Sequence, residues 1–166
     1  RSSDLHKERK YVFNPFQLVM NRGYYYLVGN HENYDDMSTL RVDRIAHITV
    51  LNERRKPLRE IKGYQQQRTF NVSQYVKEHI YMFGGESITV TFKARRSIVN
   101  QILDWFDGNV EFTNITADNV VCRVRVNHDA FKYWALQYMQ SVKVLTPASL
   151  VTEVKAAIEE GLHQYS

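Results

Sequence analysis

Two tyrosines and two arginines, Tyr25, Tyr26, Arg41 and Arg44, fall close together in the sequence and are the residues best equipped for chemistry. An arginine fork donates two parallel hydrogen bonds to a phosphate or carboxylate. A tyrosine ring stacks on a flat base, at about 1–3 kcal/mol per base. Together they suit a nucleotide-like or oligonucleotide anion. A structural reading stands beside this one: Asp43, lying between the arginines, pairs with one of them and holds a corner, while the tyrosines pack and bond through their hydroxyls. In an ideal strand Arg41 and Asp43 share a face and Arg44 lies on the other; Tyr24, Tyr26 and Val28 likewise oppose Tyr25 and Leu27. A second cationic group comes later. Arg123 and Arg125 share one face of a strand and, with Lys93 and Arg95, form either a basic strip that completes a ligand groove or a solvated sheet face.

Enzyme signatures are missing from the sequence. It has no Gly-rich phosphate loop, no His-Glu-x-x-His and no Gly-x-Ser-x-Gly. The six histidines lack metal-ligand spacing, so no catalytic residue, metal or cofactor is expected. Asp35 and Asp36 with Glu32 read as a solvated loop, and Asp104 and Asp107 as the solvent side of a helix end. The single cysteine, Cys122, allows no disulfide within the chain and no cysteine-based zinc site, and it fits a reducing cytoplasm. No window approaches the ~18 apolar residues of a membrane span, and no signal peptide is visible. The net charge of +4 permits an anionic partner without requiring one. The densest charged run, Glu53-Arg54-Arg55-Lys56, reads as a solvated turn. The chain opens Arg1-Ser2-Ser3 without a methionine, as a fragment does.

The elements that position these groups follow from periodicity. Residues 1–10 are polar and read as a loop or frayed end. Tyr11–Phe13 and Phe16–Met20 read as a strand pair broken at Asn14-Pro15, then a turn at Asn21-Arg22-Gly23 and a strand over Tyr24–Gly29. Leu40–Ile45 and Ile48–Leu51 read as further short strands, and so many in so short a stretch predict a small barrel over residues 1–56. Residues 57–85 read as a connector, with a helix over Asn71–Tyr81 capped by Asn71 or Ser73. From residue 86 to 166 strands and helices mix. Ile88, Val90 and Phe92 alternate; Ile98, Val99, Ile102, Leu103 and Phe106 recur at helical spacing. Val110, Phe112 and Ile115 are a weaker strand, and Val120, Cys122, Val124 and Val126 a stronger one. Asp129 is placed to cap a helix striped by Phe131, Trp134, Ala135 and Tyr138. Val142–Leu145 is a strand, and Thr146-Pro147 opens a last helix. That order predicts an α+β fold whose second half is a ferredoxin-like βαββαβ sandwich with an extra C-terminal helix.

Three stretches, in order, resemble one family. Tyr25-Tyr26-Leu27-Val28-Gly29 is similar to the Trp-Tyr-Leu signature of the WYL domain. Tyr11 to Leu18 resembles that family's tyrosine–proline–leucine lead-in, and Leu40-Arg41-Val42-Asp43-Arg44-Ile45 its arginine–aspartate–arginine segment. Phe131 to Tyr138, followed by Val142 to Leu150, resembles the C-terminal extension of WYL proteins. The resemblance implies an Sm/SH3-like barrel followed by a ferredoxin-like extension, usually behind a helix-turn-helix DNA-binding domain that this sequence does not show. It implies a homodimeric bacterial transcription regulator whose effector, a nucleotide or single-stranded nucleic acid, meets Tyr26, Arg41 and Arg44. The chain departs from the pattern at Tyr25, where the signature has tryptophan, and at Ser38 and Val151, where many members carry arginine.

Overall fold

The computed structural model describes residues 10–106 and 108–166; the polar start, residues 1–9, and Asp107 lie outside the described residues. The chain divides into two compact units, Arg1–Val72 and Ser73–Ser166, and each is described by itself.

In the first unit, β1 (Phe13–Asn21), β2 (Tyr24–His31) and β3 (Met37–Arg41) form an antiparallel sheet in the order β1-β2-β3. Arg22 and Gly23, both at positive φ (49° and 83°), make the two-residue loop between β1 and β2, the turn whose twist matches that of the strands. The break expected at Asn14-Pro15 is instead an irregularity between Pro15 and Gln17 inside one continuous strand. Proline is tolerated there because β1 is an edge strand. Val19, Val28, Met37 and Ile61 are buried. Buried amides tie down the loop after β2: Asn30 donates to the carbonyls of Tyr34 (2.8 Å) and Asp36 (2.9 Å), and Asn14 donates to Glu32 (2.6 Å).

Among the described residues no closed barrel forms over the stretch 1–56 for which one is expected. The strand expected over Leu40–Ile45 stops at Arg41, and Val42–Arg44 is a turn of 3₁₀-helix. Ile48–Leu51 is in no strand. Among the described residues the sheet has three strands and does not close. Alternation marks a segment as β-prone, but a strand also needs a partner edge, and the segment after Ile45 finds none.

The boundary falls at the first residue of α1 (Val72–Glu78), which is shorter than expected and otherwise lies in the second unit. There follow β4 (Ser87–Arg95), α2 (Val99–Phe106), β5 (Val110–Ile115), β6 (Asn119–Asn127), α3 (His128–Gln137), β7 (Val142–Thr146) and α4 (Ala148–His163). The sheet order is β5-β6-β4-β7, with every pairing antiparallel. Val90, Phe92 and Ala94 of β4, Val120 to Val126 of β6 in alternation, and Val144 of β7 bury one face in a core with Ile102, Phe106, Phe131, Trp134 and Leu150. Asn127, not Asp129, caps α3. Its Oδ1 accepts from the Ala130 amide (3.0 Å) while its Nδ2 donates to the Gly84 carbonyl (3.0 Å). The Thr146 hydroxyl does not cap α4, which starts after Pro147.

His79 is buried, its ring stacked on Tyr75 at 3.8 Å and its Nδ1 2.9 Å from the Tyr75 carbonyl. Burial pushes its pKa below the ordinary 6.5, outweighing the backbone acceptors that pull it up. The unfolded chain therefore takes up a proton near pH 6.5 that the folded unit refuses. Stability is unaffected above that pH and falls as pH drops below it. The expected result is a lower urea midpoint at pH 5 than at pH 7.5, by this argument, with the slope flattened in His79→Asn. An unchanged slope in that variant would assign the effect to other groups.

Candidate functional site

The site in the first unit is built on the end of β3. Cross-strand register sets Tyr26 directly opposite Arg41, and Asn21 opposite Tyr24. Tyr24, Tyr26 and Arg41 therefore share one sheet face. The Arg41 guanidinium carbon lies 4.1 Å from the Tyr24 ring centroid, within cation–π range. The 3₁₀ turn that ends β3 brings Asp43 back on Arg41: Nε and Nη2 donate to Oδ1 and Oδ2, each at 2.8 Å. That fork-on-carboxylate bond raises the Arg41 pKa and lowers that of Asp43, each mainly through the hydrogen bond and then through charge. The pair is solvent-exposed enough that its worth is in geometry rather than stability.

Chemically this is a ring-backed guanidinium with one donor edge engaged and Nη1 left over. An incoming phosphate either takes Nη1 or displaces Asp43, whose carboxylate is the built-in competitor for the same fork.

Of the sequence-predicted residues, Tyr26, Arg41 and Asp43 come together. Tyr25 and Arg44 do not join them. Tyr25 sits on the opposite sheet face, 56% exposed and paired with Met20. Arg44 lines a cleft together with Leu27 and Leu40, which belong to Tyr25's face. Tyr24 is the addition: alternation already placed it with Tyr26, but nothing in the sequence said that Arg41 would lie on it.

Arg123 and Arg125 belong to the second unit. Register puts Arg123 between Thr91 and Glu111, and Arg125 opposite Thr89. Lys93 and Arg95 lie on this same face, the one turned away from the core. Arg125 Nε is 3.3 Å from the Glu78 carboxylate. Lys143, which the sequence reading passed over, stands directly opposite Lys93. Like charges in opposed positions are destabilising, so this face holds a concentration of positive charge that an anion would relieve.

Among the described residues no group of three or more His, Cys, Asp or Glu is placed to hold a metal ion, and no helix is long and apolar enough to cross a membrane. Cys122 is buried, and burial pushes its thiol up to about 11, which leaves it a poor nucleophile.

Comparison with known proteins matches residues 1–50 to the WYL domain and residues 85–162 to the WCX domain. No curated protein sequence matches the chain. Among solved structures, a CRISPR Cas-related protein is similar over 95% of this chain and 44% of its own, at 14% identity and a TM-score of 0.52. Proteasome accessory factor B/C (PafBC) of Arthrobacter aurescens is similar over 93% of this chain and 22% of its own, at 18% identity and a TM-score of 0.44. The chain thus spans less than half the length of either.

Proposed function

The chain belongs to the WYL-domain family, its WYL domain followed by a WCX domain, and on that premise we propose that it is the effector-sensing module of a bacterial transcription regulator. The effector is a nucleotide-like or single-stranded nucleic-acid anion. The module passes its binding through a homodimer to operator DNA, which a helix-turn-helix domain outside this sequence contacts. It is a regulator rather than an enzyme. The WCX unit is read as a ferredoxin-like sandwich, a reading supported by its βαββαβ order and by the sheet order β5-β6-β4-β7. Arg123 and Arg125, with Lys93, Arg95 and Lys143, are its phosphate-facing surface.

The observation that carries the proposal is the Arg41 guanidinium lying against Tyr24 and across from Tyr26, with one donor edge unspent. Ring and guanidinium side by side offer a base and a phosphate their separate partners. Two substitutions test it by fluorescence anisotropy with a labelled oligothymidylate. Arg41→Ala is expected to weaken binding about tenfold, which corresponds to one lost charged contact, with the melting temperature nearly unchanged. Asp43→Asn, which removes the competing carboxylate, is expected to tighten it. A large drop in melting temperature in Arg41→Ala with undiminished affinity would make Arg41 a purely structural group.

One observation favours a second reading, a dimerisation module without effector. Ile158 and Leu162, one helical turn apart on α4, are exposed at 39% and 68%. A dimer in size-exclusion chromatography that no nucleotide or oligonucleotide stabilises against heat would select it.

A further inference from the structure

Residues 46–55 of the first unit make no backbone hydrogen bond to any described residue. Yet Ala46, Ile48 and Val50 alternate with His47 and Thr49 in the manner of a strand. Ile48 is 73% exposed and Val50 91%. The segment borders a cleft of about 1530 Å³ whose lining includes Leu27 and Leu40 of the sheet, Tyr11 and Pro15, and Ile48 and Val50. On the same sheet face Leu18 pairs with Leu27 and Leu27 with Leu40. An apolar segment of strand-like alternation whose amides and carbonyls are open is a template for strand addition. The cleft is larger than the roughly 300–1,000 Å³ of small-molecule pockets.

Charge narrows the occupant. Arg44, just before the segment, and Arg54, near its C-terminal end, both line the cleft, and neither is bonded to a carboxylate among the described residues. By contrast Arg55 donates to the Pro15 carbonyl (2.8 Å) and lies over Phe16, and Lys56 is held by Glu32. Glu53 and Glu60 are the lining's other carboxylates. A second copy of the segment fits badly. Antiparallel self-pairing that sets Ile48 opposite Val50 also sets Arg44 opposite Arg54, and self-pairing centred on Ile48 sets Arg44 opposite Asn52 and Arg54 opposite Val42, so in neither register does Arg44 or Arg54 meet a carboxylate. Shifting by one residue brings Arg44 to Glu53 but sets Ile48 against Thr49 and Val50 against His47. The sequence of residues 1–9 contains a single apolar residue, Leu5, and no apolar alternation.

We propose that this cleft takes an extended peptide strand from another polypeptide segment, with alternating apolar side chains and carboxylates near its ends, paired through the backbone to residues 46–55. The proposal is independent of the effector reading. The probe is the acetylated peptide glutamate–threonine–valine–threonine–valine–threonine–valine–threonine–valine–threonine–glutamate, whose glutamates stand ten residues apart on the valine face as Arg44 and Arg54 do on the face of Ile48 and Val50, with a version N-methylated at alternate amides as control. The full chain is followed by amide hydrogen exchange and fluorescence anisotropy. The plain peptide is expected to protect the amides of residues 46–55, with the N-methylated one at least about tenfold weaker, the loss expected when the pairing amides are blocked. Thr49→Pro, which removes an amide and constrains the exposed backbone, is expected to abolish the protection without lowering the melting temperature. Val50→Asp, which keeps every amide, is expected to weaken it. Equal binding of the two peptides, or no protection by either, overturns the proposal. So does protection in the chain alone that is lost on dilution, which would assign the cleft to a second copy. Equivalent protection by decanoate overturns it in favour of a small amphipathic anion.

Discussion

Replacing Trp134 with alanine is expected to cost the C-terminal unit about 3–5 kcal/mol, a large part of the roughly 5–15 kcal/mol that holds a whole domain together. Trp134 is fully buried on the core side of α3. Its ring lies 4.8 Å from Phe106 and 5.4 Å from Phe92, both edge-on, with Phe131 at 5.5 Å and Tyr138 at 5.1 Å. Edge-to-face packing adds to simple area burial, and four rings around one cannot all collapse into the space an alanine leaves. Trp134→Phe is a different case. The indole Nε1 is buried without an acceptor among the described residues, so phenylalanine loses volume but also removes an unpaired donor, itself costing about 1–3 kcal/mol. Its net loss is expected to be well under that of alanine. The chain's two tryptophans, Trp105 and Trp134, both lie in this unit, so Trp105 fluorescence in urea reports the transition in either variant. An alanine variant with an unshifted midpoint would mean that α3 is not the helix on which this core is assembled.

The second unit was the more legible in sequence because local pattern decides it. The Phe131, Trp134, Ala135 stripe and the alternation of Val120 to Val126 each mark a face without reference to any distant residue, and those faces are the core. Its cap was misplaced by two positions, from Asn127 to Asp129, because both residues are good caps and only the strand's true end separates them. The first unit was less legible. Closure of a sheet depends on which edges meet, which is a long-range matter. Ile48–Leu51 has strand periodicity and no partner. The site shows the same division. Alternation grouped Tyr24 with Tyr26 and set Tyr25 on the other face, as the strand register does. The stacking of Arg41 on Tyr24 and the opposition of Lys93 and Lys143 come from strand register, which no single strand's sequence encodes.

Gly29→Ala is expected to damage the first unit as severely as Trp134→Ala damages the second. Glycine within a strand is intrinsically unfavourable, so its place in the central strand β2 calls for a cause, and close approach supplies it. A Cβ at residue 29 would lie 2.3 Å from the Asn14 carbonyl oxygen and 2.4 Å from Cε1 of Phe13. The ring can turn away, but the carbonyl is backbone in the paired strand, beside the irregularity at Pro15. Relief requires β1 to move, at a cost at or beyond the upper end of the about 1–3 kcal/mol usual for overpacking. The damage also spreads along a chain of bonds. The Asn14 side chain donates to Glu32, and its Oδ1 accepts from the Lys56 amide at 2.9 Å, so displacing Asn14 frees the far end of the unpaired segment as well. Amide exchange separates the two units. Protection should be lost across β1 and β2, residues 13–31, and kept across β4 and β6, residues 87–127. Undiminished protection in β1 and β2 would show that the strands yield where the clash demands it, and that Gly29 is there for some reason other than room.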